Sequence, residues 1–228
     1  MQFWRSWNLF EKILCLGSTV VLLLIGLLFQ SSWPVLIASL TGVWTTFLIA
    51  KGKVSGQVIG LITIFLYIFT SWQQQYYGEV LIYALVMLPL RLWSIVTWNS
   101  HQNKKEHTIK IYHLSKKDWQ TLIWLFCLAL FDTYFLLKAF NTSQLASSTF
   151  AAVTGIFAIY LLAKRSKQGF SFFIANDLIR ISLWLSPVIH GDWSVLPMAL
   201  SCLIFLLNDS YGLYNWTKLE KKQHRAQS

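Results

Sequence analysis

Five charged side chains fall inside long apolar runs of this sequence: Arg91, Asp132, Asp177, Arg180 and Asp209. In hydrocarbon each costs about 3 kcal/mol on insertion scales unless it is paired or lines a wet cavity, so chemistry is to be sought there. Asp177 and Arg180 stand three apart and share a helix face, where they can neutralise one another. Alternatively Asp177 faces a cavity together with Asn176 and with Trp184, two turns further along. Asn208 and Asp209 set an amide beside a carboxylate midway along another run, and one of the two is expected to point inward. Arg91 occupies the parallel position in the first half of the chain. An Arg91–Asp209 salt bridge is therefore the structural alternative to a site role for both. Asp132 lies near the end of its run, within reach of water. The chain is 16% aromatic with twelve Trp, more than two interfacial belts need. Aromatic faces beside a carboxylate favour a flat cation, at about 0.5–2 kcal/mol per contact, and suit a pyridinium or thiazolium ring.

Those residues need elements to hold them, and 228 residues that are 55% apolar, 12% charged and of mean hydropathy +0.51 supply membrane-spanning helices. Eight runs stand out: Ile13 to Gln30, Pro34 to Ala50, Val54 to Ser71, Val80 to Trp98, Trp119 to Leu137, Leu145 to Ala163, Phe170 to Val188 and Val195 to Trp216. The fold class is thus an all-α polytopic membrane protein with eight transmembrane helices. Arg5 and Lys12 precede the first run, but no small-residue cleavage pattern follows it, so it reads as a true span. Lys and Arg alternate across the connections. Lys51 and Lys53, the loop holding Lys104 and Lys105, the Lys164–Arg165–Lys167 group and the tail all fall on one side, which places both termini in the cytoplasm. The net charge of +10 is therefore a topology signal, and nucleic acid is not an expected partner.

HExxH, GxSxG, GxGxxG and P-loop patterns are absent, and His101, His107, His113, His190 and His224 lie in loops or the tail. Cys15, Cys127 and Cys202 are scattered through apolar runs without CxxC spacing. Neither an enzyme, a metal site nor a cofactor is expected.

Two stretches echo one another. Thr41, Gly42, Ala50 and Lys51 recur as Thr154, Gly155, Ala163 and Lys164; Trp93, Ser94 and Trp98 recur as Tyr211, Gly212 and Trp216. In the same comparison Gly60 and Tyr67 parallel Asp177 and Trp184. Two three-span units can share one orientation only if an odd number of spans joins them, and the fifth span does so. The expected organisation is an N-terminal helix (1–33), a first three-helix unit (34–98), a loop and linker helix (99–144), a second three-helix unit (145–216) and a basic tail (217–228). Gly42, Gly60, Gly155, Pro89 and Pro197 are candidate hinge or close-packing positions.

Gly60 through Tyr67, then Tyr77, Gly78 and Glu79 and a closing aromatic-small-x-x-x-Trp pattern, together with Lys164, Arg165, Phe170, Phe173, Asp177, Asn208, Tyr211, Gly212 and Trp216, resemble the PnuC family of bacterial vitamin-precursor transporters. The resemblance runs from about residue 34 to 216 and implies a SWEET-like fold. It further implies facilitated import of nicotinamide riboside, thiamine or riboflavin, with phosphorylation by a cytoplasmic kinase trapping the product. In the nicotinamide riboside carriers a Trp-x-x-Trp-x-x-x-Asn pattern binds substrate. The matching positions here read Phe170, Phe173 and Asp177, a departure that bears on the substrate and leaves the transporter reading intact. The expected substrate-binding set is Asp177, Phe173, Phe170, Asn176, Trp184, Asn208, Tyr67, Trp93 and Tyr211. Expected partners are a small-molecule vitamin, the lipid bilayer of the bacterial cytoplasmic membrane, the kinase, and a second copy of the chain if it is a homo-oligomer. A SWEET-like sugar carrier and a non-transporting membrane receptor are the alternatives.

Overall fold

The structure is a computed structural model describing residues 7–73, 75–103, 108–142, 144–191, 193 and 196–225. Arg5, Lys104, Lys105, His107, Val195 and the side chain of His224 lie outside that description. Eight helices are long and apolar enough to cross a membrane: α1 (Leu9–Leu28), α2 (Trp33–Ala50), α3 (Val54–Gln73), α4 (Tyr77–Ser100), α5 (Lys116–Ala139), α6 (Leu145–Ala163), α7 (Gln168–Ile189) and α8 (Leu196–Arg225). Only helices satisfy every backbone group within their own segment in hydrocarbon, which is why these apolar runs take no other form. Apolar side chains also cover much of the outer surface, as a lipid-facing bundle requires.

Packing follows the chain. α2, α3 and α4 form one layered group and α6, α7 and α8 another, joined where α2 meets α8 and where α4 meets α6. α1 lies on α2 and α8, and α5 lies on α6. Small residues set the close approaches within each group. A Cβ at Gly56 would stand 2.7 Å from the Ile49 backbone nitrogen, and one at Gly169 would stand 2.9 Å from the Ala158 carbonyl oxygen. No other residue fits either helix pair without parting it. The links between these helices turn through a left-handed residue at matching places, Gly52 (φ +67°) and Arg165 (φ +61°).

The basic end of the bundle, where α1 begins and α8 ends, is closed by aromatic packing. Trp98 and Trp216 are wholly buried with ring centroids 5.5 Å apart, and Phe170 packs edge-on to Trp216 at 5.2 Å. Their indoles reach across the bundle reciprocally. Trp98 Nε1 donates to the Leu162 carbonyl at 2.6 Å, and Trp216 Nε1 donates to the Ile49 carbonyl at 3.0 Å. Those carbonyls belong to the last turns of α6 and α2, where they also accept the Arg165 and Gly52 amides of the turns that follow. Further pairs of contacts correspond in the same way: Thr63 donates to Thr41 and Asn176 to Thr154, while Gly42 lies under Phe205 and Gly155 under Met87. These contacts align Thr63 with Asn176, so the register they define differs from the sequence echo that set Gly60 against Asp177.

α1 and α5 also correspond. Each opens with a capping box, Asn8 with Glu11 and Ser115 with Asp118. Each capping carboxylate then takes a lysine from the following helix end, Lys51 to Glu11 at 2.6 Å and Lys164 to Asp118 at 2.8 Å. A tyrosine hydroxyl donates to each as well, Tyr211 to Glu11 and Tyr112 to Asp118. Beyond Trp216, where the sequence suggests a tail, α8 continues to Arg225. Its Gln223 side chain bonds Ile109 and Ile111 behind the small hairpin of β1 (Gln102–Asn103) and β2 (Thr108–Ile109), and Glu220 pairs with Lys167 at 2.7 Å. The continuation is helical because these residues have partners to reach.

Lys51→Met strands a carboxylate that is almost wholly enclosed and is expected to lower stability by about 3 kcal/mol. Lys164→Met breaks a more open, solvent-screened pair and is expected to cost clearly less. Thermal unfolding in detergent ranks the two, and the reverse order would refute this reading. The Asp118 hydrogen bond holds Lys164 above its usual pKa of 10.5. While Asp118 is ionised, Lys164's contribution is therefore complete below pH 10.5 and is lost as pH rises through the raised folded value.

Candidate functional site

Midway along α7 the chain buries Asp177, 3% exposed, and α8 brings Asp209, 2% exposed, to meet it. The two carboxyls are neighbours that interact electrostatically. Oδ2 of Asp177 and Oδ1 of Asp209 have no hydrogen-bond partner. Arg180 stands one turn along α7, in the electrostatic field of Asp177, Glu79, Tyr67, Tyr83 and Cys202. Among the described residues it makes no ion pair within 4.0 Å. The arrangement is a short ladder of charge running from Asp209 and Asp177 through Arg180 to Glu79, each rung from α4, α7 or α8. Glu79 accepts a hydrogen bond from Ser71 at 3.3 Å and is exposed at the end of the bundle away from the termini.

Aromatic rings flank the ladder. Tyr67 on α3 stacks on Tyr83 of α4, with centroids 5.3 Å apart and planes 13° from parallel. Tyr83 begins a π-helical stretch, Tyr83–Met87, in which the Leu88 amide bonds the Tyr83 carbonyl. Pro89 follows directly. Its ring cannot sit against the carbonyl four residues back, so the preceding turn widens, and the widened turn presents Tyr83. Arg180, Tyr67 and Tyr83 are each half-buried.

The other candidates divide clearly. Trp184 lies on the stripe of Asp177 and is half-buried, and Phe173 is half-buried where the two larger core clusters meet. Phe170 belongs to the aromatic closure: a Cβ at Gly212 would collide with its ring, so position 170 is filled by packing alone. Asn176 is taken up by Thr154 Oγ1 at 3.1 Å and the Ala151 carbonyl at 2.5 Å. Asn208 turns to α1, where it donates to Ser18 Oγ at 3.1 Å, and Asp209 is the member of that pair that faces inward. Tyr211 bonds Glu11 and stacks on Phe47. Trp93 leans on Tyr160 and is exposed. The Arg91–Asp209 bridge does not form, since Arg91 donates to Gln57 instead. Sequence reasoning overlooked Tyr83 and gave Glu79 no role at the site. Their four-residue spacing on one helix face was the available signal.

The cluster offers buried carboxyls, an adjacent cation and stacked rings.

A family model described as nicotinamide mononucleotide transporter matches residues 32–218. The nicotinamide riboside transporter PnuC of Neisseria mucosa is 25% identical over 97% of this chain and 86% of its own length. That of Haemophilus influenzae is 25% identical over 97% of this chain and 95% of its own. Among solved structures, the crystal structure of the vitamin B3 transporter PnuC superposes with a TM-score of 0.80 at 25% identity, covering 95% of this chain and 94% of that one.

If the two aspartates act as one group, Asp177→Asn and Asp209→Asn are expected to be non-additive by about 1 kcal/mol or more in thermal stability. Simple additivity in the double variant would separate them.

Proposed function

The chain belongs to the nicotinamide mononucleotide transporter family, and from that premise we propose that it imports a phosphate-free, cationic vitamin precursor, nicotinamide riboside or thiamine, by facilitated diffusion. The family membership makes it a multi-pass membrane transporter of vitamin precursors. The observation that carries the finer reading is Asp177, a buried carboxylate at the heart of the bundle where the nicotinamide riboside carriers hold an amide. Nicotinamide riboside and thiamine are both monocations with a flat ring; riboflavin is neutral and gains nothing from the exchange.

Residues 34–98 and 145–216 act as two units that rock about the Asp177 site, with α1 and α5 as matching outer struts. The correspondence of the two capping carboxylates and their lysines supports this pairing of the struts. With both termini cytoplasmic, the tryptophan contact lies on the inner side, and Arg180 and Glu79 lie on the outer side of Asp177. A monovalent cation is drawn inward by the membrane potential at about 2.3 kcal/mol per 100 mV, so no coupling ion is needed. Cytoplasmic phosphorylation then holds the product inside.

Tryptophan fluorescence of the purified protein, titrated with nicotinamide riboside, thiamine, riboflavin and a simple sugar and corrected for ligand absorption, tests the reading. Saturable quenching by one of the two cations is expected, weakened about tenfold or more in Asp177→Asn. Saturable quenching by the sugar, unchanged in that variant, would favour the sugar-carrier alternative. A purely structural Asp177 would lower thermal stability without altering the relative affinities.

A further inference from the structure

A second polar cluster, separate from the Asp177 site, surrounds Gly60. Arg91 on α4 is 6% exposed; its Nη1 donates to Gln57 Oε1 at 2.5 Å, and its Nε has no partner. That bond orients the Gln57 amide, leaving Nε2, also unpartnered, as an outward donor. Ser94, one turn beyond Arg91 and fully buried, has an unpaired hydroxyl, and so does buried Thr45 on α2. Gly60 is the meeting point. A Cβ there would lie 3.0 Å from Arg91 Nε and 3.1 Å from Thr45 Cγ2, so α2, α3 and α4 converge on the guanidinium. Among the described residues no carboxylate lies within 4.0 Å of Arg91.

Orphaned buried polar atoms are rare in folded proteins, and here they gather around an uncompensated positive charge. Every one of them can donate, and two of them, Arg91 Nε and Gln57 Nε2, can do nothing else. A donor set around a buried cation is a receptor for negative charge. We infer that Arg91, Gln57 and Ser94, with Thr45 beside them, hold one small monovalent inorganic anion of chloride's size. The lining side chains are all more than nine-tenths buried, so bulk water does not screen the cation there. A water molecule would satisfy hydrogen bonds but leave the charge standing.

The test is thermal unfolding of the full chain in detergent at constant ionic strength, with sodium gluconate progressively replaced by sodium chloride. A saturable rise of about 5 °C is expected, with bromide able to substitute. Gln57→Leu and Ser94→Ala are each expected to raise the half-saturating chloride concentration about tenfold, and Arg91→Met to abolish the response. Should Arg91→Met fail to fold, the other two variants decide. Equal unfolding temperatures in both salts would mean that water or nothing fills the site and would overturn the inference. So would a non-saturating salt effect, or a full wild-type response in the folded variants.

Discussion

Two tryptophans at the basic end hold the arrangement together by each bonding the other half's helix terminus. Trp98 takes the Leu162 carbonyl and Trp216 takes the Ile49 carbonyl, and their rings meet between. Either bond alone would cap a helix. Made together, they fix how α2 and α6 lie relative to α4 and α8, and so where the middle of every one of those helices sits. Both rings are wholly buried, so each bond has little competition from water and its geometry is held firmly. Phe170 fills the space beneath, and Gly212 is the small residue that lets it in.

From that fixed end the polar residues sort by depth and by half. The second half gathers Asp177, Asp209 and Arg180, while the first contributes Tyr67, Tyr83 and Glu79 to the same interior. Arg91 stays apart with Gln57. Buried charge in a membrane bundle is retained only where something answers it, and here the answers differ: the neighbouring Arg180 cation for Asp177, and the Gln57 side-chain oxygen, an acceptor without a formal charge, for Arg91. The Asp177 and Arg91 clusters are thus separate, each with its own partners.

Much of this was legible in the chain. Eight apolar runs became eight helices, and Leu145–Ala163 falls where the reading put it, because hydrophobic length is a strong signal against a fixed bilayer thickness. Charges within those runs pointed to Asp177, Arg180 and Asp209 for the same energetic reason. Side-chain direction was not legible. Asn176 and Asn208 each neighbour an inward carboxylate, yet one step along a helix turns a residue by about 100°, and both amides bond other helices instead. Nor could spacing alone set the register between halves, since small residues and aromatics recur too often; contacts such as Thr63 with Thr41 set it. The end of α8 was misjudged because its partners, Ile109 and Lys167, are remote in sequence.

Arg91 and Asp209 stand at corresponding depths on α4 and α8 with opposite signs. A dimer built from two copies of one short polypeptide would have to carry the same residue at both places, and its axis would be electrically even. Joining the halves in a single chain removes that obligation. Each half can then carry its own charge, Arg91 in one and Asp209 in the other, giving a protein whose interior is polarised from one flank to the other. Covalent linkage here is therefore a source of asymmetry as much as of assembly.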